Sequence, residues 1–177
     1  MAIKGLEQAV ENLSRVRKNA IPAASAMAIN RVATTAINQS SSLVACETKV
    51  RRKLVKERAR LKRATVKNPQ ARIKVNRGDL PVIRLGIRML GRRPNSILKA
   101  GQHRYQRAFI QQLKNGRWHV MQRVAGKNRY PIDVVKIPMA VPLKQAFDEN
   151  VDRIRRERLP KELAYALQHQ LRMVIKR

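Results

Sequence analysis

A chain of 177 residues is long enough for one domain with a real core, and two full domains would be cramped. Forty Lys and Arg face eleven Asp and Glu, a formal charge of +29. Such a chain repels itself unless something anionic neutralises it: nucleic acid first, with a membrane surface or acidic proteins as alternatives. Phe, Trp and Tyr together make only 3%, so the core is aliphatic. The single cysteine, Cys46, excludes an intrachain disulfide and fits a reducing compartment.

The first ten residues carry Lys4 and Glu7 and hold no continuous apolar stretch, so they are not read as a signal peptide. No run approaches the ~18 apolar residues of a membrane span. These features predict a soluble protein made in a cytoplasm. Ile3, Leu6, Val10 and Leu13 recur at helical spacing and predict a short amphipathic helix. Pro22 stands where a first helical turn tolerates it. After it Ile29, Val32, Ala33, Ala36, Ile37 and Val44 mark one face of a long helix. Its small residues allow close packing. Thr48 is placed to cap a third helix, with Val50, Leu54 and Leu61 on the apolar side.

The period then changes. Ile73 and Val75 alternate with Arg72, Lys74 and Asn76, as in a half-buried strand. Asn76-Arg77-Gly78-Asp79 is a turn signal, and Val82, Ile83 and Leu85 predict a further strand. Residues 86–107 lose any clear period and read as a long basic loop or loose hairpin. Asn115-Gly116 between two strand-like runs, 108–113 and 117–124, predicts a hairpin. Within it Trp118, Val120 and Val124 share one face, and His119, Met121 and Arg123 the other. Residues 126–129 predict another turn, and 130–137 an extended piece. Pro142 opens a helix with Leu143, Phe147, Val151 and Ile154 on one stripe. Pro160 is expected to kink or restart it before Leu163, Leu167 and Leu171. Helices, then antiparallel strands, then helices make an α+β plan in a single domain.

Charge concentrates in the middle. Residues 49–140 hold twenty-six basic and three acidic side chains, a net of +23. The run 49–63, read as a helix, would spread Arg51, Arg52, Lys53, Lys56, Arg60, Lys62 and Arg63 over nearly all of its surface outside the apolar stripe. The loop at 86–107 adds Arg88, Arg92, Arg93, Lys99 and Arg104. These twelve are the candidate DNA-binding residues. Cations at these positions contact phosphates and release counterions. With Tyr105 the only aromatic in the loop, no stacking platform is available. Contact is therefore expected to be independent of base sequence.

No catalytic or metal site is expected. Asp79 and Asp133 are the only carboxylates of the strand-rich region and lie far apart in sequence. His103, His119 and His169 lack metal-ligand spacing. Cys46 reads as a buried structural thiol, and Ser40-Ser41-Ser42 lacks the glycine-flanked turn of a nucleophilic serine. No cofactor is expected.

Residues 1–16, 48–64, 71–85, 108–140 and 153–163 together closely resemble the prophage minor tail protein Z family, the tail completion proteins of lambda-like bacteriophages. The most diagnostic residues are Ala108-Phe109-Ile110, then Gly116, Arg123 and Arg129-Tyr130-Pro131-Ile132. Two departures stand out. Family members often carry glycine where this chain has Arg107, and a later Gly-Pro-Ser-like segment reads Ile137-Pro138-Met139-Ala140 here. The resemblance implies a non-enzymatic structural role at the head-proximal end of a long non-contractile tail, supporting head–tail joining and genome delivery. It implies a virion location after assembly in the host cytoplasm, and a homo-oligomeric ring, sixfold like the tail tube. It implies tail terminator, tube and head–neck proteins as partners. The charge alone would also suit a free, sequence-independent nucleic-acid-binding protein, which is the rival reading.

Overall fold

The computed structural model describes residues 2–90, 97–123 and 132–175. It is α+β: long helices at both ends and small antiparallel sheets between them. The chain resolves into two compact units. The first comprises residues 1–40, 59–75 and 147–177; the second comprises 41–58 and 76–146.

In the first unit α1 (Ala2–Arg15) leads through a π-helical turn, Val16–Ala20, into α2 (Ile21–Thr48). The α2 stripe is made of small residues because α4 (Ala140–Ile175) packs on it. Ala24 and Ala28 are buried with Ala166, and Met27, Leu159, Leu163 and Leu167 close over them. One step along, Val32, Ala36 and Ile154 form a second cluster with Val151, Leu159 and Ile73. Ile73 comes from the hairpin of β1 (Ala59–Lys62) and β2 (Arg72–Val75). Asn30 of α2 holds the start of the connection between these two strands. Its Nδ2 donates to the Ala64 carbonyl at 2.9 Å, and its Oδ1 accepts from the Ala64 N–H at 2.8 Å.

The run expected as a third helix is helical only over α3 (Arg52–Lys56). Thr48 does not cap it. Thr48 is the last residue of α2, its hydroxyl donates to the Val44 carbonyl, and Lys49 turns the chain with φ 51°. Beyond α3 the sequence Ala59-Arg60-Leu61-Lys62 alternates apolar and basic with period two, and that pattern pairs with β2. Leu61 therefore faces inward from a strand and not from a helix.

The second unit is built around β3 (Leu80–Pro81), a 3₁₀ turn at Val82–Leu85 and two three-stranded sheets. The strand expected at Val82, Ile83 and Leu85 is this turn; its Val82 and Leu85 are buried. The segment expected as a loop or loose hairpin is an ordered meander: β4 (Ile87–Leu90), β5 (Ile97–Ala100) and β6 (His103–Gln106). Gly101, at φ 60°, makes the two-residue connection from β5 to β6. Residues 91–96 lie outside the described residues. The hairpin signalled by Asn115-Gly116 is present: β7 (Ala108–Gln112) pairs with β8 (Trp118–Arg123), and Gly116 takes φ 74°. Val120 is buried and Trp118 exposed. Val124 and the turn at 126–129 lie outside the described residues. The extended piece that follows becomes β9 (Ile132–Val134), paired with β8, and β10 (Lys136–Ile137), paired with β3. Between them Val135 accepts from the Val82 N–H and donates to the Val120 carbonyl.

The final helix does not restart at Pro160; α4 runs through it. Pro160 is exposed, and only one backbone hydrogen bond is lost to its missing N–H. The clusters formed by Val151, Ile154, Leu159 and Leu163 on either side of it hold the helix in place.

Candidate functional site

The candidate residues fall on separate surfaces. In the first unit the β1–β2 ladder sets Arg60 opposite Lys74 and Lys62 opposite Arg72. All four share one exposed face, while Ala59, Leu61, Ile73 and Val75 turn to the other. Directly opposed like charges destabilise a sheet, and no carboxylate interleaves them. The four cations present a compact patch at the spacing of a pleated sheet.

Arg63, the next residue, lines an open groove of about 550 Å³ with Asn30, Arg31, Thr34, Thr35 and Glu162. Arg31 and Glu162 pair across it at 3.5 Å.

The second unit repeats the arrangement. The β4–β5–β6 register places Arg88, Lys99 and Arg104 in one row across three strands. Leu98 and Ala100 turn to the opposite face and are fully buried. Among the described residues, ion pairs join Arg15 to Glu11, Arg31 to Glu162, Arg84 to Glu57 and Arg155 to Asp152. None reaches the seven cations of the two sheet faces.

Arg51, Arg52, Lys53 and Lys56 are exposed on and beside α3, in the second unit, whereas Arg60, Lys62 and Arg63 belong to the first. The run 49–63 is thus not one continuous binding helix. Arg92 and Arg93 lie outside the described residues. Sequence reasoning missed Arg72 and Lys74 as site residues. Their signal was present: in Arg-Ile-Lys-Val the two apolar residues fix one face, so both cations must take the other.

Arg58, within the same basic run, does something different. Its guanidinium donates to the carbonyls of Asn76, Gly78 and Asp79 and so clamps the turn that Asn76 Oδ1 closes on the Gly78 N–H. Burial, then the nearby Arg84 charge, pulls its pKa below the ordinary value, and Asp79 partly offsets this. Arg58 is a structural residue and is not available to an anion.

Two of the diagnostic residues of the 108–123 hairpin meet: the Arg123 guanidinium lies over the Phe109 ring at 5.8 Å from its centre. Ala108, the first residue of β7, is buried. Arg107, before the triplet, has φ 56°. That left-handed backbone suits glycine, the residue that the resemblance leads one to expect there.

Ser40 and Ser41 are buried in the interior of α2. Cys46, expected to be buried, is exposed, because it falls on the side of α2 opposite Val44 and Thr48. His103 Nε2 lies 3.0 Å from the Thr48 carbonyl and ties β6 to the end of α2. Among the described residues no group of three His, Cys, Asp or Glu is placed to hold a metal ion, and no helix is long and apolar enough to cross a membrane.

No solved structure matches the chain. Among curated proteins it is 74% identical over 192 aligned positions to the tail completion protein Z of Escherichia phage lambda, covering all of both chains. It is 52% identical over 185 positions to the tail completion protein of Escherichia phage N15, again covering both in full. The model of the family described as prophage minor tail protein Z matches residues 3–177. With that match over nearly its whole length, the chain belongs to the prophage minor tail protein Z family.

Proposed function

We propose that the protein completes the head-proximal end of a long non-contractile phage tail and so supports head–tail joining and genome delivery. The whole chain works as one tail completion domain. The full-length likeness to a tail completion protein carries this reading. Copies form a ring, sixfold like the tail tube, against tail terminator, tube and head–neck proteins. The protein resides at the head-proximal end of the tail in the virion, after assembly in the host cytoplasm. Its role is structural and not enzymatic.

The opposed cations carry the second clause: the protein touches the genome end without reading its sequence. Arg60, Lys62, Arg72 and Lys74 on one face, and Arg88, Lys99 and Arg104 on another, are arranged at a cost to sheet stability. A polyanion passing over either face converts that cost into attraction. Arg51, Arg52, Lys53, Lys56 and Arg63 add to the field.

The test is removal of the gene from the producing phage, followed by imaging and infectivity. Heads and tails that stay unjoined, or that join into non-infectious particles, are the expected result. Fully infectious particles would leave a free nucleic-acid-binding protein as the better account. Rescue by a chain with Arg60, Lys62, Arg72 and Lys74 all changed to Gln would remove the DNA clause for that face.

A further inference from the structure

In a chain of +29, α1 is charge-balanced: Lys4 and Arg15 stand against Glu7 and Glu11. It also leaves its apolar side uncovered. Leu6 is 69% exposed, Val10 60% and Leu13 69%. α1 is the projecting end of a helical run that continues through the π-helical turn into α2, and its apolar stripe stays in water unless a partner covers it.

The stripe has the form of a heptad seam. Ile3 and Val10 take the a positions and Leu6 and Leu13 the d positions, the pattern that favours two parallel strands. Ala2 and Ala9 occupy g, and Glu7 and Ser14 occupy e, so no like charges face each other across a parallel seam. Lys4 and Glu11 fall at b and Arg15 at f, outside the seam, and Arg15 is already paired with Glu11 at 2.6 Å. Arg17, at the next a position, ends the seam where the π-helical turn begins.

Charge decides the occupant. Acidic partners are drawn to the cationic faces, and α1 holds no net charge to recruit them. Two copies of this chain repel almost everywhere else, but not at α1. We propose that α1 pairs in parallel with α1 of a second copy through Leu6, Val10 and Leu13. The pairing rests on the multi-copy reading above; being isologous it closes at two copies and would group a six-copy ring as three pairs. Its test is biochemical, so it fails or stands separately from the infectivity experiment.

The test uses the full chain with Cys46→Ser, because Cys46 is exposed and would cross-link by itself. Salt is set high enough to screen the positive charge. Added Leu13→Cys, at the seam, is compared under oxidation with Arg15→Cys, which points outward. We expect the Leu13→Cys chain to form linked dimers several-fold faster. In sedimentation, Leu6→Glu with Leu13→Glu should abolish the association seen for the Cys46→Ser chain, with the cooperative thermal unfolding seen by circular dichroism kept. Equal cross-linking at the two positions, association that survives the double Glu change, or a Cys46→Ser chain that stays monomeric would each overturn the proposal. If the double variant fails to fold, the cross-linking comparison decides alone.

Discussion

Lys74 stands directly opposite Arg60 in the β1–β2 ladder, two cations on one exposed face with no acid between them. Directly opposed like charges destabilise a sheet, whereas an opposite-charge pair in the same place contributes about 0.2–1 kcal/mol. Lys74→Glu should replace that repulsion with a cross-strand ion pair. The variant should melt about 2 °C higher than the parent at low ionic strength, and the gain should shrink as salt is added. The same variant should bind duplex DNA more weakly, with the slope of log affinity against log salt reduced by about 1 or more. Thermal melts and a salt titration of binding check both halves. A variant that is more stable yet binds DNA as well as the parent would confine the pair to a structural cost.

Arg107 makes a second strained position. At φ 56° an L side chain costs about 1–2 kcal/mol, against roughly 0.5–1 kcal/mol of chain entropy for placing glycine there. Arg107→Gly should therefore leave the protein as stable or up to about 1 kcal/mol more stable, whereas Arg107→Val should destabilise it, because a branched side chain tolerates this backbone poorly. Urea denaturation of the three chains gives the order directly.

The sequence carried the fold unevenly, for reasons that lie in particular residues. The Asn115-Gly116 hairpin was legible because the turn needs a residue at positive φ, which Gly116 supplies. The α2 stripe was legible in Val32 and Ala36, which repeat at helical spacing and are buried, whereas Ala24 and Ala28, which extend it toward the N-terminal end, were not singled out. The β4–β6 meander was not, because Gly101-Gln102 is a weaker turn signal than Asn-Gly and the intervening strands are only four residues each. In the run 49–63 the density of basic residues hid the switch of period after Arg58 from helical to alternating. Pro160 failed as a breaker because tertiary contacts on both sides outweigh one missing hydrogen bond. The cationic character of the site could be read from composition. Its organisation into opposed pairs could not, since that depends on strand register.

Asn30 offers the sharpest test of the first unit. Its carboxamide satisfies both backbone groups of buried Ala64 at 2.8 and 2.9 Å. Asn30→Ala leaves a buried N–H and a buried carbonyl without partners, at about 1–3 kcal/mol each. We expect a loss of about 2–4 kcal/mol in denaturant unfolding, with Asn30→Asp intermediate because only the donor is lost. Amide exchange at Ala64 should quicken in Asn30→Ala, much less in Asn30→Asp, whose carboxylate still accepts from that N–H, and should not change at Val120, in the other unit.

Tyr105 ties stability to pH. It is half-buried on β6, beside Leu98 across the strand and with its ring 6.3 Å from that of His103. Burial disfavours the phenolate and raises the pKa of Tyr105 above its ordinary value of 10.0. The folded chain therefore holds the phenolic proton more tightly than the unfolded chain does. The associated stability is fully present below the ordinary value and is lost as pH rises through the raised folded value. Lysine deprotonation in the same range relieves repulsion in this very basic protein and acts in the opposite direction, so the parent's melting curve alone would mix two effects. Tyr105→Phe removes one and leaves the other. The parent should lose stability relative to the Phe variant as pH climbs past about 10, and the two should track each other below it. Parallel curves across the whole range would mean that Tyr105 ionises as freely in the folded protein as in the unfolded chain.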